Sequence, residues 1–198
     1  MVVEALSRSA QISDALGDLS RAVARSVVLV RGSMGSSGSG VVWNQPGLVI
    51  TNHHVVPGSS AELVVAGGRR VGARVVRRAP ALDLAALRVD GELPDGARVG
   101  DSNALRVGQL VVAVGNPMGE RNAPSVGIVS VAPDDVLRLA ITLRPGNSGG
   151  ALVNTRGEVV GIPHMVAGSG LALAVSSRTV ARFLDGFLGE QESELRWV

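Results

Sequence analysis

The sequence has no cysteine, no lysine and no tyrosine, and only four aromatic side chains, Trp43, Phe183, Phe187 and Trp197, among its 198 residues. Without cysteine there can be no disulfide, no thiolate metal site and no cysteine nucleophile, so the fold must stand on packing alone in any redox compartment. Without lysine or tyrosine nothing titrates between the α-amino group and the guanidinium groups. A formal net charge of +2 therefore persists far into the alkaline range, and the sequence pI of about 10.7 is no sign of a nucleic-acid partner. The core must be built from Val, Leu, Ile and Ala. There is no membrane-spanning apolar run. The first stretch, MVVEALSRSAQISDALGDLSRAVARS, breaks every apolar run with Glu, Arg or Asp before it could serve as a secretory signal. As written, the chain is expected to be cytoplasmic, or extracytoplasmic if it derives from a longer, trimmed precursor.

What is present is 45% hydrophobic residues and 26 glycines, enough for one sizeable domain or two small ones. Helical spacing of Leu16, Leu19, Val23 and Ala24 predicts a short amphipathic helix from Ser13, a candidate N-cap, to Arg25. From Val27 onward, short Val-rich runs separated by Gly, Pro, Asn and Asp predict an all-β barrel or sandwich. The candidate strands are SVVLVRG, GSGVVW, GLVITN, AELVVAG, RVGARVVR, LAALRV, QLVVAVG, SVGIVSV, LRLAIT, GALVN, GEVVGIPHM and GLALAVS. RTVARFLDGFL then returns to helical spacing, with Val180, Phe183, Leu184 and Phe187 on one face. Domain limits follow: an N-terminal helical segment over 1–26, a first β-unit over 27–100, a second over 101–177, and a C-terminal helix and tail over 178–198.

Three further features carry expectations. Gly40–Ile50 and Gly150–Val160 share an apolar run, an Asn, two residues, a Gly and a second apolar run. Each reads as a β-hairpin, with Asn44/Gly47 and Asn154/Gly157 where a tight turn needs positive φ; the echo reflects either a duplicated barrel or the limited chemistry of turns. GSMGSSGSG, lying between two strands, is expected to be a mobile surface loop. The pairs Arg69/Arg70 and Arg77/Arg78 could form a basic stripe, although alternation with Val on short strands favours a solvated face.

The strongest chemical signal is PGNSGGALVN. Ser148 is flanked by Gly146, Gly149 and Gly150, which let the backbone turn sharply, expose the hydroxyl and leave amides free to point at a bound oxygen. A serine needs a base to become a nucleophile, and the chain offers three histidines: His53 and His54 in ITNHHVV at a strand end, and His164. Asp83, embedded in ALDLAALRV, is a carboxylate that needs a partner and could orient an imidazole. The resulting chain order of His, Asp and Ser is one of those in which this catalytic constellation is known.

The strings SGSGVVW, GLVITNHHVV, LDLAALRV, VVAVGNPMG, VGIVSV, RPGNSGGALVN and GEVVGI, in this order over about Ala22 to Leu184, resemble the protease domain of the HtrA serine endopeptidases. The resemblance implies an all-β, chymotrypsin/trypsin-like double β-barrel with short N-terminal and C-terminal helices. It implies His54 rather than His53 as general base, Asp83 as its acid and Ser148 as nucleophile. Gly146 and Ser148 amides would form the oxyanion hole with help from Asn147. His53 is then a turn residue beside the base. Asn147 replaces the acid that pairs with a new N-terminus in digestive trypsin-like enzymes, so activation by loop ordering, without N-terminal processing, is expected. Thr142, six residues before Ser148, lies where trypsin-like enzymes carry an acid at the floor of the primary pocket, so a small aliphatic residue before the scissile bond is expected. His164, after a strand that should flank that pocket, is read as structural or superficial, with no catalytic role.

The resemblance further implies polypeptide substrates cleaved in unfolded or exposed segments through an acyl-enzyme, with no cofactor and no metal, and neither a nucleic acid nor a membrane as partner. A protease-fold binding or chaperone-like module with low or partner-dependent activity is the alternative. The chain departs from the family's usual pattern at Ala151, where Pro is common, and in AITLRPG, which lacks the usual Asp and Asn. Peptide sensing by the PDZ modules that usually follow is expected to be absent or to lie outside this chain. No aromatic precedes Trp43, which argues against the family's aromatic route to a trimer and leaves homo-oligomerisation open.

Overall fold

The computed structural model describes residues 2–117, 122–131, 135–166 and 172–185. Each of the twelve predicted apolar runs forms a strand: β1 (Val27–Gly32), β2 (Ser37–Val42), β3 (Leu48–Thr51), β4 (Ser60–Val64), β5 (Arg70–Ala79), β6 (Leu84–Val89), β7 (Leu110–Gly115), β8 (Ala123–Val131), β9 (Val136–Ala140), β10 (Ala151–Asn154), β11 (Val159–Val166) and β12 (Ala172–Ser176). They close into two antiparallel barrels, β1-β2-β3-β6-β5-β4 and β7-β8-β9-β12-β11-β10, so the same order is used twice.

The two barrels generate three cores. Successive side chains on a strand point to opposite faces. Val49 on β3, Leu87 on β6 and Val42 on β2 accordingly fill the first barrel with Val28, Val30 and Leu63. Val111 and Ala113 on β7 and Leu152 on β10 fill the second with Leu137 and Leu139. Their neighbours Leu48, Ile50, Leu84, Val112, Val114, Ala151 and Val153 point the other way, into a third cluster between the barrels with Trp43, Ile162 and Phe183. This is why these segments read as unbroken apolar runs instead of alternating ones. β9 alternates exposed and buried positions and has one face in solvent.

Two helices close the seam. Helix α1 spans Val2–Ala24, beginning well before the expected Ser13, which is an interior, exposed position. No proline or glycine interrupts the chain before Gly17, so nothing stops the helix there. Its last turns pack on the barrels: Leu16, Leu19 and Val23 meet the inter-barrel cluster, as their spacing implies. Helix α2 (Ser177–Leu184) is capped by the Ser176 hydroxyl, which accepts from the Thr179 amide at 3.2 Å, and buries Val180, Phe183 and Leu184. Phe187 lies outside the described residues.

Three expectations are decided by the structure. GSMGSSGSG is not a mobile surface loop: after one tight turn at Ser33–Gly35 the chain enters β2, with Ser39 and Gly40 buried. A Cβ at Gly38 would press on Val55, and one at Gly40 on Val49 and Val30, so the small residues answer to close packing. The hairpin echo is real, with β2–β3 and β10–β11 as hairpins and Gly47 and Gly157 at positive φ, but Asn44 and Asn154 keep ordinary φ. The Asn154 side chain instead accepts from the Arg156 and Glu158 amides. In the shared barrel order, β2–β3 corresponds to β8–β9 and not to β10–β11, so turn chemistry accounts for the echo and duplication does not. The arginine pairs form no stripe. Arg69 donates to the Glu92 carbonyl, Arg70 faces Glu62, Arg77 lies over the Phe183 ring, and Arg78 turns inward to His53 and the carbonyls of Val56 and Gly58.

Candidate active site

The two barrels meet where three loops converge. His54 stands in a single 3-10 turn, His53–Val55, immediately after β3. Asp83 follows the turn Pro80–Leu82 between β5 and β6, and Ser148 lies in the loop between β9 and β10. Asp83 has a left-handed backbone, φ 52° and ψ 43°, a conformation a non-glycine residue holds only when its surroundings enforce it. The surroundings are visible. Its carbonyl accepts from the His53 amide at 3.1 Å and from Asn52 Nδ2 at 2.8 Å. Its carboxylate accepts from the His54 amide at 3.1 Å and lies 2.7 Å from His54 Nδ1. One residue is thus tied at both ends to the histidine turn.

The Asp83–His54 contact fixes the imidazole. With Nδ1–H donated to the carboxylate, Nε2 carries the lone pair of a base. His54 is exposed, with its side chain 50% accessible, whereas the Asp83 side chain is 21% accessible. Burial pushes the Asp83 carboxyl up, but the imidazoles of His164 and His54 and the His54 amide outweigh it and hold the group well below the usual carboxylate range. His53 Nδ1 lies 2.9 Å from Arg78 Nη1, so that ring acts as an acceptor for a guanidinium and braces the turn.

Ser148 belongs to the second barrel but is held by the first. Its carbonyl accepts from the Ser39 amide on β2 at 2.8 Å, and the next amide, Gly149, donates to the Pro163 carbonyl on β11 at 3.0 Å. Gly149 has φ +81°, and a Cβ there would run into the Ser39 carbonyl and the Thr51 hydroxyl. Before it, Arg144–Asn147 form a turn closed by Asn147 N–H donating to Arg144 O at 3.0 Å, with Gly146 at φ +99°. Pro then Gly at the two central positions is the sequence that a type II turn requires. Neither the Gly146 nor the Ser148 amide donates to another described residue, so both are available to an external oxygen. The Asn147 amide is not, since it is committed to Arg144; its side chain is buried and Oδ1 has no partner. No hydrogen bond joins Ser148 to His54, a gap that commonly closes only when substrate is bound. Thr142 is exposed in the same loop, and residues 167–171, which follow β11, lie outside the described residues.

Sequence reasoning missed Ser39 and Asn116. Wholly buried, Ser39 donates its hydroxyl to the Gly146 carbonyl at 2.7 Å and accepts from the Asn116 amide at 2.7 Å. Asn116 Nδ2 reaches the Val28 carbonyl at 3.0 Å, completing a bridge from the first barrel to the Gly146 turn. His164 is not superficial: its side chain is 13% accessible and its Nδ1 is 3.5 Å from Asp83 Oδ2. A serine among glycines carries no signal for such a bridge, and the histidine's neighbour is remote in sequence.

Residues 38–162 match the trypsin-like peptidase domain. The chain is 37% identical over 175 residues to the serine protease Do-like HtrA of Lactobacillus helveticus, covering 76% of this chain and 42% of that protein. It is 34% identical over 179 residues to a probable periplasmic serine endoprotease, DegP-like, of Brucella suis, covering 82% and 35%. With a DegP-like endoprotease of Pseudomonas putida it shares 39% over 140 residues, covering 66% and 29%. The chain thus spans less than half the length of these relatives. Among the described residues no helix is long and apolar enough to cross a membrane.

Proposed function

The chain belongs to the HtrA family of trypsin-like serine proteases, and from that premise we propose that it is a serine endopeptidase with Ser148 as nucleophile, His54 as general base and Asp83 as the acid that orients it. The observation that carries the reading is the 2.7 Å contact between His54 Nδ1 and Asp83 Oδ2, set beside a serine turn whose Gly146 and Ser148 amides donate to no other described residue. Ser148 Oγ attacks the peptide carbonyl and passes its proton to His54 Nε2, while Asp83 stabilises the imidazolium. The oxyanion is received by the amides of Gly146 and Ser148. His54 then gives the proton to the leaving amine, an acyl-enzyme remains on Ser148, and water activated by His54 hydrolyses it. No step needs a metal or cofactor. Asn147 supports the hole through the turn it closes and not as a donor.

Substrates in this reading are unfolded or exposed polypeptide segments. Thr142, uncharged at the position that the resemblance assigns to the primary pocket, supports a small aliphatic residue before the scissile bond. The DegP-like relatives are named periplasmic, and we carry an extracytoplasmic place of work from them. The missing Ser148–His54 hydrogen bond favours one second reading, a resting state whose activity depends on a partner. A fluorophosphonate probe separates the two. Wild-type protein should form an adduct on Ser148, lost in Ser148→Ala and His54→Ala but kept in His53→Ala; a folded wild type that never labels overturns the first reading and leaves the second.

A further inference from the structure

Three imidazoles surround one carboxylate and one arginine, and two of them are accounted for: His54 by Asp83, and His53 by Arg78. His164 is not. Both of its ring nitrogens are buried without a hydrogen-bond partner, and burying an imidazole in that state is costly unless something nearby repays it. The charged group within ion-pair distance among the described residues is Asp83, whose Oδ2 lies 3.5 Å from His164 Nδ1, the same oxygen that faces His54 Nδ1. A neutral imidazole presents one N–H and one lone pair. A lone pair toward a carboxylate oxygen would repel it, whereas an N–H attracts it, so Nδ1 carries the hydrogen.

The placement of His164 on β11 gives this contact a consequence. The preceding residue, Pro163, accepts the Gly149 amide and so holds the serine turn. Asp83 belongs to the first barrel, Ser148 to the second, and one pair of adjacent residues touches both. We propose that His164 is a positioning residue of the reaction: its Nδ1–H, 3.5 Å from Asp83 Oδ2, attracts that oxygen electrostatically from β11 while His54 hydrogen-bonds it from the first barrel, keeping the acid and the serine turn in one register. A carboxylate oxygen has two lone pairs and can accept both donors. No proton passes through His164. By sharing the charge of Asp83 it also reduces the pull of that carboxylate on the His54 imidazolium, which agrees with the depressed Asp83 carboxyl.

This inference rests on the proposed triad and is tested apart from it. His164→Leu keeps the bulk and removes the donor; His164→Asn keeps an N–H about where Nδ1 stands. With a small-aliphatic peptide substrate, His164→Leu should lower kcat about tenfold, the worth of one long polar contact with a charged group, and leave KM within about twofold. The acid limb of its kcat/KM profile should move to higher pH, because an Asp83 relieved of one donor holds the His54 proton more strongly. His164→Asn should restore most of kcat and the limb. In 15N-histidine-labelled Ser148→Ala protein, His164 should be protonated on Nδ1. A leucine variant with wild-type kcat and limb, equal losses in both variants with an unmoved limb, or an Nε2–H tautomer each overturns the inference. A wild type that does not label with the fluorophosphonate overturns the proposed function instead, and the labelled-histidine spectrum still decides this question.

Discussion

Replacing Ser39 with alanine removes one oxygen and breaks the bridge on which the Gly146 turn rests. The Ser39 hydroxyl donates to Gly146 O at 2.7 Å and accepts from the Asn116 amide at 2.7 Å and Asn116 Nδ2 at 3.2 Å. Nδ2 keeps its bond to the Val28 carbonyl, so the net loss is one half-buried carbonyl and one buried N–H left without partners. At about 1–3 kcal/mol for each unsatisfied group, the variant should lose roughly 2–6 kcal/mol of stability, toward the low end if water enters the vacated space. The same change reaches the chemistry. The peptide between Gly146 and Asn147 is held at its N–H by Arg144 and at its carbonyl by Ser39, and this fixes the direction of the two free amides on either side. Complete loss of an oxyanion donor costs about 10²–10³ in kcat, so a loosened one should cost about 10–100-fold. Urea unfolding followed by the fluorescence of buried Trp43, and the fluorophosphonate labelling rate, measure the two effects; exposed Ser37→Ala on the same strand is the control. A Ser39→Ala protein as stable as wild type, or one that loses stability but labels at the wild-type rate, refutes the coupling of this bridge to the hole.

Asp83→Asn should lower kcat by about 10⁴-fold with little change in KM, since an amide leaves His54 in the wrong tautomer; steady-state kinetics would show it, and a loss below tenfold would contradict the role. Because His164 and His54 overcome burial and hold the Asp83 carboxyl below its unfolded value, its contribution to stability is complete above the unfolded carboxylate range and is lost as pH falls toward the folded value. The stability difference between wild type and Asp83→Asn should therefore shrink between about pH 7 and about pH 3 in urea titrations, and a constant difference would be the contrary result. Gly149→Ala, which drives a Cβ into the Ser39 carbonyl at a left-handed position, should cost more than about 3 kcal/mol, whereas Gly67→Ala, equally left-handed but open to solvent, should cost about 1 kcal/mol; similar melting temperatures for the two would show that crowding is not the cause.

By itself the sequence determined the twelve strands, because runs such as LVIT and LVVAV bury both faces and leave no alternative to a β core, and Gly, Pro and Asn punctuate them at the turns. It also marked Ser148 and Asp83 as candidates, since glycines around a serine and a lone acid in apolar sequence are unusual for reasons that do not depend on their neighbours. Between His53 and His54 only the resemblance to the family chose, selecting His54; adjacent residues in a single turn point in different directions, and the fold shows the His54 ring on Asp83 and the His53 ring on Arg78. Which strand face fills a barrel and which fills the seam was likewise undetermined, because a run apolar on both sides has no alternation to read. Ser39, Asn116 and His164 were decided by tertiary structure alone. Their partners are carbonyls, amides and a carboxylate brought in from strands and loops far along the chain, and a hydrogen bond across two barrels depends on where the backbones meet and not on the residues beside it in sequence.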